Sequence, residues 1–170
     1  MKQTLKLAAC ALLLSSCVTT APDGPSATAV LRPASGSQAH GTVKFTQVGK
    51  RVRVDAELAA LTPGRHGFHL HEKGDCSAPD AESAGAHFNP AGKKHGAPDS
   101  NERHAGDLGN LSANEYGKAT VTLMVDGISV GKGADGVIGR GVIVHADADD
   151  LKTDPTGNSG GRIACGVVEG

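Results

Sequence analysis

Eight histidines lie in this chain of 170 residues, and the spacing of six of them suggests chemistry. His69-Leu70-His71 sits in a strand-like stretch. Residues two apart on a strand share a face, so the two imidazoles lie roughly 7 Å apart along it and can reach one metal ion. A lone His-x-His pair carries little weight, because two surface histidines look the same. The stretch that follows adds His87, His95, His104 and Asp107 at spacings of 8, 9 and 3. Three imidazoles and a carboxylate suit a four-coordinate zinc ion. His145 ends the apolar run Val142-Ile143-Val144 and adds another imidazole. Nitrogen-rich sites suit copper as well as zinc.

Elements that could bring these residues together are short strands. Thr42-Val43-Lys44-Phe45-Thr46 and Arg51-Val52-Arg53-Val54-Asp55 alternate polar and apolar residues, the period of a half-buried strand. Strands are expected at 27–31, 41–47, 51–58, 66–71, 119–125, 141–145 and 163–168, separated by turn residues such as Thr62-Pro63-Gly64, Asp126-Gly127 and Asp135-Gly136. No segment carries a 3.6-residue apolar stripe. With 24 glycines and 8 prolines, the pattern predicts an all-β antiparallel sandwich or barrel. Residues 72–110 and 146–161 break the rhythm and read as long loops, which in a compact domain are usually functional.

Composition narrows the function. The chain is 38% apolar and 21% charged, as expected of one soluble domain. Its net charge of −1 offers no cationic face for nucleic acid. No run of 18 apolar residues predicts a membrane-spanning helix.

The N-terminus reads as an address. Lys2 and Lys6 precede the apolar stretch Leu7–Leu14, and Ser15-Ser16-Cys17 follows. This resembles a bacterial lipoprotein signal of the outer-membrane class. Residues 1–16 are then the signal peptide, Cys17 the lipidated first residue, 17–26 a flexible tether and 27–170 the domain. The expected location is the periplasm or cell envelope, with membrane contact only through the N-terminal lipid. Cys10 is removed with the signal and Cys17 is modified, which leaves Cys76 and Cys165 to form a disulfide in an oxidising compartment.

Longer motifs surround the histidines. Gly67-Phe68-His69-Leu70-His71-Glu72-Lys73-Gly74-Asp75-Cys76 and Gly157-Asn158-Ser159-Gly160-Gly161-Arg162-Ile163-Ala164-Cys165-Gly166-Val167-Val168 resemble signatures of the copper/zinc superoxide dismutases. Gly85-Ala86-His87-Phe88-Asn89-Pro90, Lys94-His95-Gly96 and Arg103-His104-Ala105-Gly106-Asp107-Leu108 are similar to family segments in the same order. The resemblance covers essentially all of residues 27–170. It implies an eight-stranded Greek-key β-barrel with one copper and one zinc per subunit. Copper would be held by His69, His71, His87 and His145, and zinc by His87, His95, His104 and Asp107, with His87 bridging. Asp149 would accept hydrogen bonds from His69 and His95. Arg162 would face the copper and position superoxide, a small anion, and His87 would carry a proton. The implied activity is dismutation of superoxide to oxygen and hydrogen peroxide, as protection outside the cytoplasm. Members of the family occur as homodimers and as monomers, so a homodimer is one expected assembly.

Other residues have plainer expected roles. His66 should make a structural hydrogen bond, His40 should be solvated, and Phe45, Phe68 and Phe88 should pack. Lys93, Lys94, Arg103 and Lys152 could add positive field near the site. Two glycine-flanked serines, Ser129 and Ser159, match a hydrolase nucleophile elbow, which needs a following helix that the sequence lacks. A copper carrier without turnover is the stronger rival. It is disfavoured because all four expected copper ligands and Arg162 are present.

Overall fold

The computed structural model describes residues 23–170. The expected signal peptide, Cys17 and the start of the tether lie outside the described residues. Eight strands follow in order: β1 (Asp23–Pro33), β2 (His40–Val48), β3 (Arg51–Ala59), β4 (Gly64–His71), β5 (Asp107–Ala113), β6 (Ala119–Val125), β7 (Gly141–His145) and β8 (Arg162–Glu169). The helical element among the described residues is one short 3-10 turn, Glu82–Ala84. All strand pairs are antiparallel, in the order β5-β4-β7-β8-β1-β2-β3-β6. The two end strands, β5 and β6, approach each other and nearly close a barrel. The crossings β4–β7, β8–β1 and β3–β6 make it a Greek key.

Alternation explains most of the barrel wall. Val52, Val54, Ala56 and Leu58 of β3 and Val43 and Phe45 of β2 point inward. They meet Leu31, Phe68, Leu70, Leu108 and Leu111 in one core. Each such large side chain contributes roughly 1.5–3 kcal/mol on full burial. Strands β4 and β7 depart from the pattern, because residues 66–71 and 141–145 are buried on both faces. Phe68, Leu70, Val142 and Val144 belong to the barrel core. Their alternate neighbours His69, His71, Ile143 and His145 lie beneath the long loops. Ile143 sits in a second, smaller apolar cluster with Ala34, Ala81, Ala84 and Cys165.

The structure corrects two expectations. Strand β1 begins at Asp23, so residues 23–26 of the expected tether are strand. Asp23 pairs with Val48 and Ser26 with Thr46 across an irregular register. The loop expected to run to residue 110 ends earlier, because β5 starts at Asp107 and pairs with β4. Its sequence, Asp-Leu-Gly-Asn-Leu-Ser-Ala, is poor in β-branched and aromatic residues. Burial of Leu108 and Leu111 and the β4 ladder override that weak propensity.

The loop between β4 and β5 folds back along β4. Phe88 N donates to Leu70 O (2.8 Å), Leu70 N to Gly106 O (2.9 Å) and Gly106 N to Phe88 O (2.9 Å). A β-bridge pairs His71 with His87. Glycine is required at 106, since a Cβ there would meet Leu70 O and Phe88 N. Arg140 clamps the same region. It lies 3.7 Å from the Phe88 ring centroid and donates to Glu72 O at 2.9 Å. The disulfide Cys76–Cys165 joins the loop to β8 across 89 residues of sequence, with Cα atoms 5.8 Å apart.

Closing so long a loop restricts the unfolded chain. Replacing both cysteines by serine is expected to lower stability by about 2–5 kcal/mol. Urea unfolding of the metal-free protein measures this, and an unchanged midpoint and slope would contradict it.

Candidate metal centre

Two donor clusters meet on the outer side of β4. The first joins His69 and His71 of β4, His87 of the loop and His145 at the end of β7, all buried, with donor atoms within 4.8 Å of one another. Three of the rings are fixed by one nitrogen each. His69 Nε2 lies 2.8 Å from Asp149 Oδ2, His71 Nδ1 2.9 Å from Gly85 O and His145 Nδ1 3.0 Å from Gly160 O. The fourth, His87 Nδ1, lies 2.9 Å from Asp107 Oδ1. The opposite nitrogens, His69 Nδ1, His71 Nε2, His87 Nε2 and His145 Nε2, are buried and have no hydrogen-bond partner. An orphaned buried polar atom costs about 1–3 kcal/mol, and a cation among the four would satisfy all of them.

Burial disfavours the charged form of these rings. It pulls His71 well below its ordinary value, and neighbouring His87 adds to the effect. Burial and neighbouring His69 bring His145 to about 3. Burial lowers His87 to about 4 although Asp107 opposes it, and lowers His69 although Asp149 opposes it. Four imidazoles of this kind are neutral at pH 7, the form that binds a metal.

The second cluster joins His87, His95, His104 and Asp107. Asp107 Oδ1 lies 2.9 Å from His87 Nδ1, 3.0 Å from His95 Nδ1 and 3.2 Å from His104 Nδ1. His87 Nδ1 and His104 Nδ1 are 3.4 Å apart. These separations match the edges of a tetrahedron, about 3.3 Å for zinc bonds of about 2.0–2.1 Å. His95 Nδ1 has no aligned partner despite its closeness to Asp107. Asp107 Oδ2 is occupied separately, accepting from His104 N at 2.8 Å and Gly96 N at 3.1 Å. Burial raises the Asp107 carboxyl, but the surrounding histidines outweigh it and hold the group well below its ordinary value. Burial lowers His95, but Asp107 and Asp149 outweigh it and lift the ring to about 9.

Asp149 spans the two clusters. Its Oδ2 faces His69 Nε2, and its Oδ1 faces His95 Nε2 at 2.9 Å and accepts from Leu151 N at 2.7 Å. Burial opposes its charge, yet the hydrogen bonds from His69 and His95 keep it well below the usual carboxylate range. Its neighbours have plainer surroundings: Asp147 is exposed, and Asp150 accepts from Lys152 N and Thr153 N. Asn110 carries no motif or spacing that marks it in the sequence. From β5 this residue accepts from Asp149 N at 2.8 Å and donates to Asp149 O at 3.0 Å, fixing the backbone that carries the carboxylate. An amide in an unrecognised strand offered no signal.

Arg162 opens β8 directly across from His145. It donates to Ala81 O and Gly85 O, both at 2.8 Å. It lines a cavity of about 510 Å³ with His71, His87 and His145. A larger cavity of about 630 Å³ around Arg51 and Asp126 touches none of the clustered histidines. Arg103 lines that other cavity and not the one with the clustered histidines. It is buried, and it pairs with Asp126 and donates to His104 O. Lys93 lines the histidine cavity, while Lys94 and Lys152 are exposed and do not line it. His66 makes the expected structural contacts, to His145 O and Thr62 O at 2.8 Å each. His40 is exposed, and Phe45, Phe68 and Phe88 are buried. Ser159 is buried and donates to Thr156 O at 2.8 Å, and no helix follows it or Ser129.

Residues 39–168 match the family model described as copper/zinc superoxide dismutase. A solved structure described as a crystal structure analysis of the clock protein EA4 is 42% identical, with a TM-score of 0.76. The match covers 92% of this chain and 99% of that one.

Two measurements test the clusters. In the metal-free protein a His95 ring titrating at about 9 is protonated at pH 7. Zinc binding should therefore release about one proton per ion and tighten as pH rises towards that value. Calorimetry in buffers of different ionisation enthalpy reads the proton, and zero release would contradict the assignment. Asp149→Asn should weaken both metals about 10- to 100-fold in chelator competition. Unchanged affinity for either ion would count against its bridging role.

Proposed function

The chain belongs to the copper/zinc superoxide dismutase family, oxidoreductases whose cofactors are copper and zinc, and from that premise we propose how its residues perform the reaction. Two superoxide ions and two protons give one oxygen and one hydrogen peroxide. His69, His71, His87 and His145 would hold copper, and His87, His95, His104 and Asp107 would hold zinc, which makes His87 common to both donor sets. Copper, when bound, supplies the one-electron exchange with successive superoxide ions, while zinc has no redox chemistry and orders the site.

Every other part of the work falls to the chain. Arg162 offers a charged guanidinium, already oriented by two backbone carbonyls, to a small anion in the cavity. His87 Nε2 would hold a proton only while it is not bound to a metal, and would then give it to the reduced product. Asp149, through His69 and His95, keeps rings of both clusters in register. The observation that carries this reading is the set of four buried, unpartnered nitrogens beside Arg162.

The protein acts outside the cytoplasm in this reading. Residues 1–16 are removed, Cys17 carries lipid and residues 17–22 form the tether, so the domain faces superoxide in the periplasm or cell envelope, as a monomer or a homodimer. A disulfide joining the metal loop to β8 supports an oxidising compartment.

Superoxide decay is the direct test. The copper- and zinc-loaded chain should remove superoxide rapidly, and the copper-free chain should not. Arg162→Ala should retain copper and lose about 10-fold or more in rate, since a hydrogen bond to a charged group is worth roughly 1.5–3 kcal/mol. A loaded protein no faster than buffer would overturn the reading, and full activity in the arginine variant would remove the role given to Arg162.

A further inference from the structure

The guanidinium of Arg162 has a third neighbour that the proposed reaction does not use. Glu82 Oε2 lies 3.1 Å from Arg162 Nη2, and the Glu82 side chain is 64% exposed. Glu82 opens the 3-10 turn Glu82–Ala84, and the two carbonyls that hold Arg162, those of Ala81 and Gly85, flank that turn. The guanidinium is therefore positioned by backbone on both sides of Glu82, and the carboxylate is not needed to orient it. Glu82 lines the cavity together with Glu72 and Asp154, against Lys93 and Arg162. Histidines aside, the mouth holds three acids and two bases.

We propose that Glu82 is a charge-tuning residue for the substrate anion: its carboxylate competes with superoxide for Arg162 and lowers the positive field at the mouth of the cavity. The inference rests on the dismutase reading above. An anion approaching Arg162 must share the guanidinium with a carboxylate already within ion-pair distance. Because Glu82 is exposed, salt screens the competition. The screening length falls from about 10 Å at 0.1 M to about 3 Å at 1 M. The effect of Glu82 must therefore be largest at low ionic strength.

Glu82→Gln keeps the shape and removes the charge, and Glu82→Lys reverses it. Both are compared with the parent chain, loaded with copper and zinc and checked for equal metal content. Azide serves as a probe anion, its dissociation constant read from the visible spectrum of the bound copper, alongside superoxide decay from low to high salt. At low ionic strength Glu82→Gln should bind azide and remove superoxide about two- to threefold better, Glu82→Lys should do so more strongly, and both gains should shrink towards none near 1 M salt. Unchanged or weaker azide binding in Glu82→Gln at low salt would overturn the proposal. So would a gain that persists at high salt, which indicates a rearranged Arg162. A parent chain that neither binds azide nor removes superoxide would instead overturn the dismutase reading, so the two failures are distinguishable.

Discussion

A buried imidazole has two ring nitrogens, and burial makes each unpartnered one costly. In the first cluster the protein supplies partners for one nitrogen of each ring and leaves the other four pointing at one another. That division of partners organises everything around it. The carbonyls of Gly85 and Gly160 and the carboxylates of Asp107 and Asp149 sit on the outer side of the rings. Each holds a ring so that its free nitrogen faces inward. Without a cation the arrangement is unfavourable, and with one it is satisfied. The barrel and its disulfide supply the rigidity that maintains it.

His87 joins the two clusters because its ring contributes to both. Nε2 faces the all-imidazole cluster, and Nδ1 faces the cluster that contains a carboxylate. Asp149 makes a second link, behind the rings rather than between them. The two clusters also differ in charge. Four neutral imidazoles suit a copper ion that changes oxidation state, whereas three imidazoles and a depressed carboxylate suit a fixed divalent ion. The path from β4 to this geometry is short: His71 bridges to His87, and Arg162 lies across from His145.

Much of this was legible in the sequence, and the limits have physical causes. Strands β6 and β7 fall where alternation and apolar runs place them, because their faces are separated by solvent or loops in a regular way. Strand β5 was not legible: Gly109, Asn110 and Ser112 are turn-type residues, and the strand exists through its ladder with β4. The start of β1 was masked in the same way by Gly24 and Pro25. Ligand types and spacing pointed to the seven donor side chains, and the resemblance to a family divided them between two metals. The roles of Asn110 and Arg103 depend on contacts between distant segments, with Asp149 and with Asp126, and no local pattern records such contacts.

The central claim is that two different ions are held by two donor sets with one shared imidazole. Anomalous diffraction from crystals of the copper- and zinc-loaded protein, collected on either side of each metal's absorption edge, tests it most directly. The account predicts, in the protein with copper in its oxidised state, copper bound by His69, His71, His87 and His145, and zinc bound by His87, His95, His104 and Asp107, with the His87 ring between them. A single metal position, or a His87 ring bound to one ion alone while both sites are full, would contradict it.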